Sequence, residues 1–190
     1  MRCLLCEDFS ITHICKNCQR ENLIPEFIRR ELFDGVEVFS FYKYDAIKQL
    51  LHTKHTDLGY YVYDILAQNS FAKFAKNFEF DEIVASLSVD DEPKENYSHT
   101  AILNKHLTSY CIKPLYARLV AQNQVSYSGK SKSYRLANKR DFDFKDFKQN
   151  SCILVDDIIT TGTTLSEAIA TCKKHHKEVL FCLTLADAQK

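Results

Sequence analysis

One stretch, residues 152–165 (Cys-Ile-Leu-Val-Asp-Asp-Ile-Ile-Thr-Thr-Gly-Thr-Thr-Leu), constrains this chain more than any other. Its apolar opening, Cys152 to Val155, lacks polar alternation and is partly β-branched, which predicts a parallel strand covered on both faces. Leu165, Ala168, Ile169 and Cys172 then recur at helical spacing, with Glu167, Lys173 and Lys174 toward solvent. The stretch therefore reads as strand, loop and helix, with Asp156 and Asp157 at the carboxyl end of the strand, where open α/β sheets place ligands.

The turn is chemically suited to an anion. Gly162 allows close backbone approach, Thr160, Thr161, Thr163 and Thr164 offer hydroxyls, and the following helix presents unpaired N–H groups and a positive dipole end. Two bare carboxylates would repel a phosphate, so Asp156 and Asp157 are better suited to sugar hydroxyls or a divalent cation. A phosphate beside a diol implies a phosphorylated ribose. A Walker loop does not fit, because this turn contains no Gly-Lys-Ser/Thr.

These residues resemble the phosphoribosyl pyrophosphate (PRPP) loop of type I phosphoribosyltransferases. That resemblance implies that Asp156 and Asp157 contact the ribose 2′- and 3′-hydroxyls and that Thr160, Thr161, Gly162, Thr163 and Thr164 hold the 5′-phosphate. It also implies an early loop for the pyrophosphate. Its candidate is the segment from Leu51 to Asp57, where Lys54 would offset part of the pyrophosphate charge; a solvated basic loop is the alternative.

Four of the eight cysteines lie at the start as Cys3-x-x-Cys6 and Cys15-x-x-Cys18. Two such knuckles can close a tetrahedral thiolate site, so a structural zinc module over residues 1–24 is expected. Such a module has almost no core without its metal. A pair of disulfides is the alternative, disfavoured in a chain that shows no export signal. His13 stands outside the knuckle geometry. Cys111, Cys152, Cys172 and Cys182 lie in apolar surroundings and read as core.

Elsewhere, strand and helix alternate, which predicts an α/β fold with a mainly parallel sheet flanked by helices over residues 36–190. The sheet is expected to begin near Val36, after a turn at Asp34-Gly35. Helices are expected over 45–52, 58–72 and 99–110, and strands over 82–87, 113–120 and 178–186, with Pro114 opening its strand. The stretch 141–147, alternating phenylalanine with charge, reads as an edge strand or packed connection.

Net charge is zero, which excludes non-specific coating of nucleic acid by a polycation. No apolar run reaches the length of a membrane span, and a cytoplasmic location is expected, at the inner face of the membrane only through partners. Locally, Tyr127, Lys130, Lys132, Tyr134, Arg135, Lys139 and Arg140 interleave tyrosines with bases, a composition that suits single-stranded DNA or a solvated flexible loop.

The cysteine finger, the phosphate loop, Tyr134-Arg135-Leu136-Ala137-Asn138 and Leu183-Thr184-Leu185-Ala186 together resemble the ComF family of competence proteins. That family implies a factor for natural transformation that handles incoming single-stranded DNA, works with other DNA-uptake proteins and binds PRPP or a related ligand. The alternative is a Mg²⁺-dependent phosphoribosyltransferase. Two family segments differ: a Pro-Val-Pro-like strand end is Ser86-Leu87-Ser88-Val89 here, and an Arg-Gly-Phe-Asn segment is Glu95-Asn96-Tyr97-Ser98, with an acid in place of the arginine.

Overall fold

The computed structural model describes residues 1–89, 97–123 and 140–189. Strands β1 (Ile28–Glu31), β2 (Glu37–Lys43), β3 (Val84–Ser88), β4 (Ile112–Leu115), β7 (Ser151–Ile159) and β8 (Glu178–Asp187) form a sheet in the order β1-β2-β8-β7-β3-β4. Every neighbouring pair is parallel except β1 and β2, a hairpin. A second, small antiparallel pair joins β5 (Leu119–Ala121) to β6 (Phe142–Phe144). The helices are α1 (Lys16–Asn22), α2 (Tyr44–Leu51), α3 (Asp57–Asn69), α4 (Phe71–Asn77), α5 (His99–Lys105) and α6 (Thr163–Lys174).

The apolar run of β7 is buried from Ser151 to Val155, as a central strand requires. On one face of the sheet it meets a core of α2 to α5 residues, among them Ile47, Val62, Leu66, Phe71 and Leu103. On the other face Leu165, Ala168, Ile169 and Cys172 of α6 pack with Val38, Leu87, Leu154 and Leu119. Full burial of Leu165 and Ile169 contributes roughly 1.5–3 kcal/mol each. Cys111, Cys152, Cys172 and Cys182 are all core residues.

Because α5 follows β3 on one face and α6 follows β7 on the other, the adjacent strands β3 and β7 lead their chains apart. Such a divergence marks the carboxyl ends of the two strands as the ligand position of doubly wound sheets. The amide of Asn104 in α5 helps hold this edge, donating to the Ser86 carbonyl of β3 (3.1 Å) and to the Leu115 carbonyl of β4 (3.0 Å).

Several boundaries differ from the sequence expectation, each for a local reason. The sheet begins at Ile28, before Val36, because the Asp34-Gly35 turn closes a hairpin that recruits Ile28–Glu31; Gly35 supplies the positive φ of 79°. The expected helix over 58–72 breaks at Ser70, whose hydroxyl donates back to the Leu66 carbonyl (2.7 Å) while Phe71 turns onto Phe41. The helix from His99 stops at Lys105, and a Ser109 turn bonded to Ile112 starts β4. The expected strand over 113–120 is two strands, broken at Ala117 with φ 50°, and Pro114 sits inside β4 rather than at its start. This is tolerated because β4 is an edge strand. The alternating stretch at 141–147 supplies β6.

Candidate functional site

The cysteine cluster is built by local backbone. Cys15 precedes α1, and its sulfur accepts the N–H of Cys18 (3.4 Å); Cys3 accepts N–H groups from Leu5 (3.5 Å) and Cys15 (3.3 Å). The sulfurs of Cys3, Cys6, Cys15 and Cys18 all lie within 4.8 Å of one another, and no disulfide joins them. Burial opposes ionisation of Cys3, yet the N–H groups of Cys15, Cys6 and Leu5 outweigh it and bring the thiol down to about 6. Four thiols within reach of a common point form the donor set of a tetrahedral structural metal, and the set fits one on that geometry. His13 stands apart from this set, its ring against Tyr61 of α3.

The module is docked rather than tethered. Ile14 and Leu23 are buried in the core beside α3, Gln19 accepts from the Asn69 amide (3.1 Å), and the Tyr42 hydroxyl donates to the Leu23 carbonyl (3.3 Å).

At the carboxyl end of β7 the chain remains paired with β8 through Ile158 and Ile159, so the two aspartates lie within the strand. Thr160, Thr161 and Gly162 then turn into α6, and Thr163 and Thr164 are its first residues. Gly162 has φ 79° and is buried; a β-carbon there would stand 2.5 Å from Leu32 Cδ2. Only glycine meets both conditions. The Thr161 and Thr163 hydroxyls bond each other at 2.9 Å.

The surroundings push the two acids in opposite directions. Burial and the neighbouring charge of Asp157 push the Asp156 carboxyl well above the usual range, while its Oδ1 accepts the Asp157 N–H (2.8 Å). Burial also opposes charge on Asp157, but the Lys54 ammonium, 3.2 Å from its Oδ2, outweighs it and holds that carboxyl below the usual range. The Tyr63 hydroxyl donates to the same oxygen at 3.5 Å, and burial raises its phenol well above the ordinary value. Asp157 is therefore the more acidic of the two, and its carboxylate can accept from ligand hydroxyls.

Lys54 reaches this point from a short 3₁₀ turn, His52–His55, between α2 and α3. Its carbonyl is held by the Tyr97 hydroxyl (2.9 Å) and the His99 ring. Gly59 lies directly beneath, with no room for a β-carbon against the Thr53 carbonyl and the Tyr97 hydroxyl. Asp156, Asp157, the Thr160–Thr164 loop and Lys54 thus converge on one end of the sheet.

Of the tyrosine- and base-rich segment, Tyr127, Lys130, Lys132, Tyr134, Arg135 and Lys139 lie outside the described residues. Arg140 is described: its backbone N–H donates to Glu167 of α6 (2.9 Å), and its charge acts on Asp156.

Sequence reasoning missed Tyr63, Tyr97 and His99, which carry no motif, and also Arg30. The Arg30 guanidinium donates to the Thr160 carbonyl (2.9 Å) and to Asp187 Oδ1 (3.0 Å). The alternation of Arg30 and Leu32 ahead of a hairpin turn is the signal that could have placed both under the loop.

Residues 111–190 match the family profile of the phosphoribosyl transferase domain. No curated protein matches the chain. Among solved structures, it is similar to a hypoxanthine phosphoribosyltransferase from Staphylococcus aureus, at 14% identity and a TM-score of 0.43 over 66% of this chain and 62% of that one. It is also similar to orotate phosphoribosyltransferase from Aeropyrum pernix, at 15% identity and a TM-score of 0.41 over 90% and 80% of the two chains. The chain thus spans less than two thirds of the Staphylococcus aureus enzyme. Among the described residues, no helix is long and apolar enough to cross a membrane. The chain carries a phosphoribosyltransferase-like domain joined to an N-terminal four-cysteine cluster.

Proposed function

We propose that this domain binds PRPP or a closely related phosphoribosyl ligand, and does so within a factor that handles incoming single-stranded DNA. The observation that carries the first part is the convergence of a glycine-pivoted threonine turn, an aspartate pair and Lys54 at one end of the sheet. The turn takes the 5′-phosphate, Asp156 and Asp157 take the ribose hydroxyls, and Lys54 exchanges Asp157 for the diphosphate.

Mg²⁺ enters with the diphosphate. The diphosphate's own oxygens supply most of its coordination, as Mg²⁺ commonly requires. The cysteines hold zinc, and elemental analysis should give one zinc per chain.

The DNA-handling part rests on the ComF resemblance and on the composition of residues 122–140. Arg140, at the end of that segment, adds its charge beside Asp156, so a strand bound by Arg140 would lie next to the phosphoribosyl site. Affinity for an unstructured oligonucleotide should fall steeply with added salt. No binding at low salt would remove this part.

The phosphoribosyl part is tested by calorimetric titration of PRPP with Mg²⁺ into zinc-loaded protein, beside an Asp156→Asn/Asp157→Asn variant. Binding by the parent and loss in the variant support it; equal affinities count against it. Pyrophosphate release with an added acceptor would move the reading from binding to transfer.

A further inference from the structure

An anion cradle made of backbone works only if its acceptors are kept out of it. A carbonyl directed at a phosphate repels it as surely as an N–H attracts it. Along this turn three carbonyls are held by donors of the protein itself. The Ile159 carbonyl accepts from the Ala188 N–H (2.9 Å), closing the last rung of β7 on β8, and the Gly162 carbonyl accepts from the Ser166 N–H (2.9 Å) inside α6. Between them the Thr160 carbonyl is at the junction, past the last rung of the sheet and before the first turn of the helix. Its partner comes from a different part of the chain, Arg30 on β1.

Arg30 is itself fixed. Its guanidinium pairs with Asp187, whose side chain is 4% exposed at the end of β8, and Asp187 Oδ1 also accepts the Gln189 N–H at 2.7 Å. Two residues further along, on the same side of the extended chain, Leu32 fills the space beneath Gly162. The β1 hairpin thus meets the turn twice, by a hydrogen bond at Thr160 and by contact at Gly162.

We infer that Arg30 is a positioning residue of the phosphate turn: by holding the Thr160 carbonyl it keeps that acceptor off the anion and leaves the turn's N–H and hydroxyl donors to face it. Asp187 neutralises the guanidinium, so Arg30 acts through the turn and not as a phosphate ligand. This inference rests on the phosphoribosyl reading above, and it assigns part of that site to the antiparallel hairpin at the edge of the sheet.

The test uses two probes on zinc-loaded full-length protein, ribose 5-phosphate for the turn and pyrophosphate for the Lys54 side, each titrated by calorimetry well below Tm. Arg30→Gln should weaken ribose 5-phosphate about tenfold, the scale of losing an outer supporting contact, and leave pyrophosphate unchanged. It should also lower Tm, because the buried Asp187 carboxylate loses its cation. Adding Asp187→Asn removes that buried charge, so the double variant should recover Tm and remain weak for ribose 5-phosphate. Recovery of affinity together with Tm would overturn the inference, since it would make Arg30 a stabilising residue only; so would parental affinity in Arg30→Gln. Absence of ribose 5-phosphate binding by the parent would sink the phosphoribosyl reading and this inference with it, an outcome distinct from parental binding with indifferent variants.

Discussion

The two sides of the candidate site are made in opposite ways. The phosphate turn is contiguous, from Thr160 to Thr164, and its shape is set by backbone: a strand end, a glycine at φ 79° and a helix start. The Lys54 side is assembled from four separate places, with Lys54 from a 3₁₀ turn, Asp157 from β7, Tyr63 from α3 and the Tyr97/His99 pair from the segment before and within α5. A backbone cradle holds one geometry and suits the chemically constant end of a ligand. A side-chain ion pair can open, and suits a group that arrives with charge and, in a transferase, leaves with it.

That contrast can be broken experimentally, beginning where the effect should be largest. Gly162→Ala forces a β-carbon against Leu32 in a left-handed conformation. It should cost about 2 kcal/mol of stability, visible in urea melts, and abolish ribose 5-phosphate binding. Undiminished binding in this variant would mean that the turn is not the cradle.

Lys54→Met should reduce pyrophosphate affinity about tenfold and spare ribose 5-phosphate, because a single charge-assisted contact is lost. Its stability effect has a defined pH dependence. Asp157 has a folded-state pKa held below its unfolded value by Lys54, so the stabilisation exists above the unfolded pKa and disappears as pH falls through the folded one. Parent and Lys54→Met should therefore differ in Tm at pH 7 and converge in strong acid. A constant difference across that range would detach Lys54 from Asp157.

Asp156 has the opposite sign. Its folded-state pKa is raised, first by burial and then by Asp157, so folding loses stability as pH rises above the unfolded carboxyl value. Asp156→Asn should raise stability by about 1 kcal/mol near pH 8 and by nothing near pH 3, while weakening the ligand. The smallest effect is expected for Tyr97→Phe, which removes one hydroxyl from the Lys54 carbonyl and should cost about 1 kcal/mol or less. A shift of pyrophosphate affinity without a shift for ribose 5-phosphate would locate that loss on the Lys54 side.

The same contrast explains what was legible in the sequence. The phosphate turn could be read because its chemistry is consecutive: an apolar strand, two acids, a glycine among hydroxyls and an amphipathic helix leave few other arrangements. The cysteine knuckles were legible for the same reason, since Cys3, Cys6, Cys15 and Cys18 converge through local turns. Lys54 could be named only through a family resemblance, and its ion pair with Asp157 joins residues far apart in the chain. Tyr63 and Arg30 act through contacts with Asp157 and the Thr160 carbonyl, which lie far from them along the chain, so no local pattern marks them. The break at Ser70 and the split at Ala117 were also invisible, because each is imposed by packing that the local propensities do not encode.

The most direct test of a site with two unlike sides is phosphorus NMR of PRPP during titration with zinc-loaded protein and Mg²⁺, in which the 5′-phosphate and the diphosphate give separate resonances. The account predicts that both move with the parent protein, that neither moves with Asp156→Asn/Asp157→Asn, and that Lys54→Met spares the 5′-phosphate response. A parent protein that shifts only the diphosphate, or neither group, would contradict it.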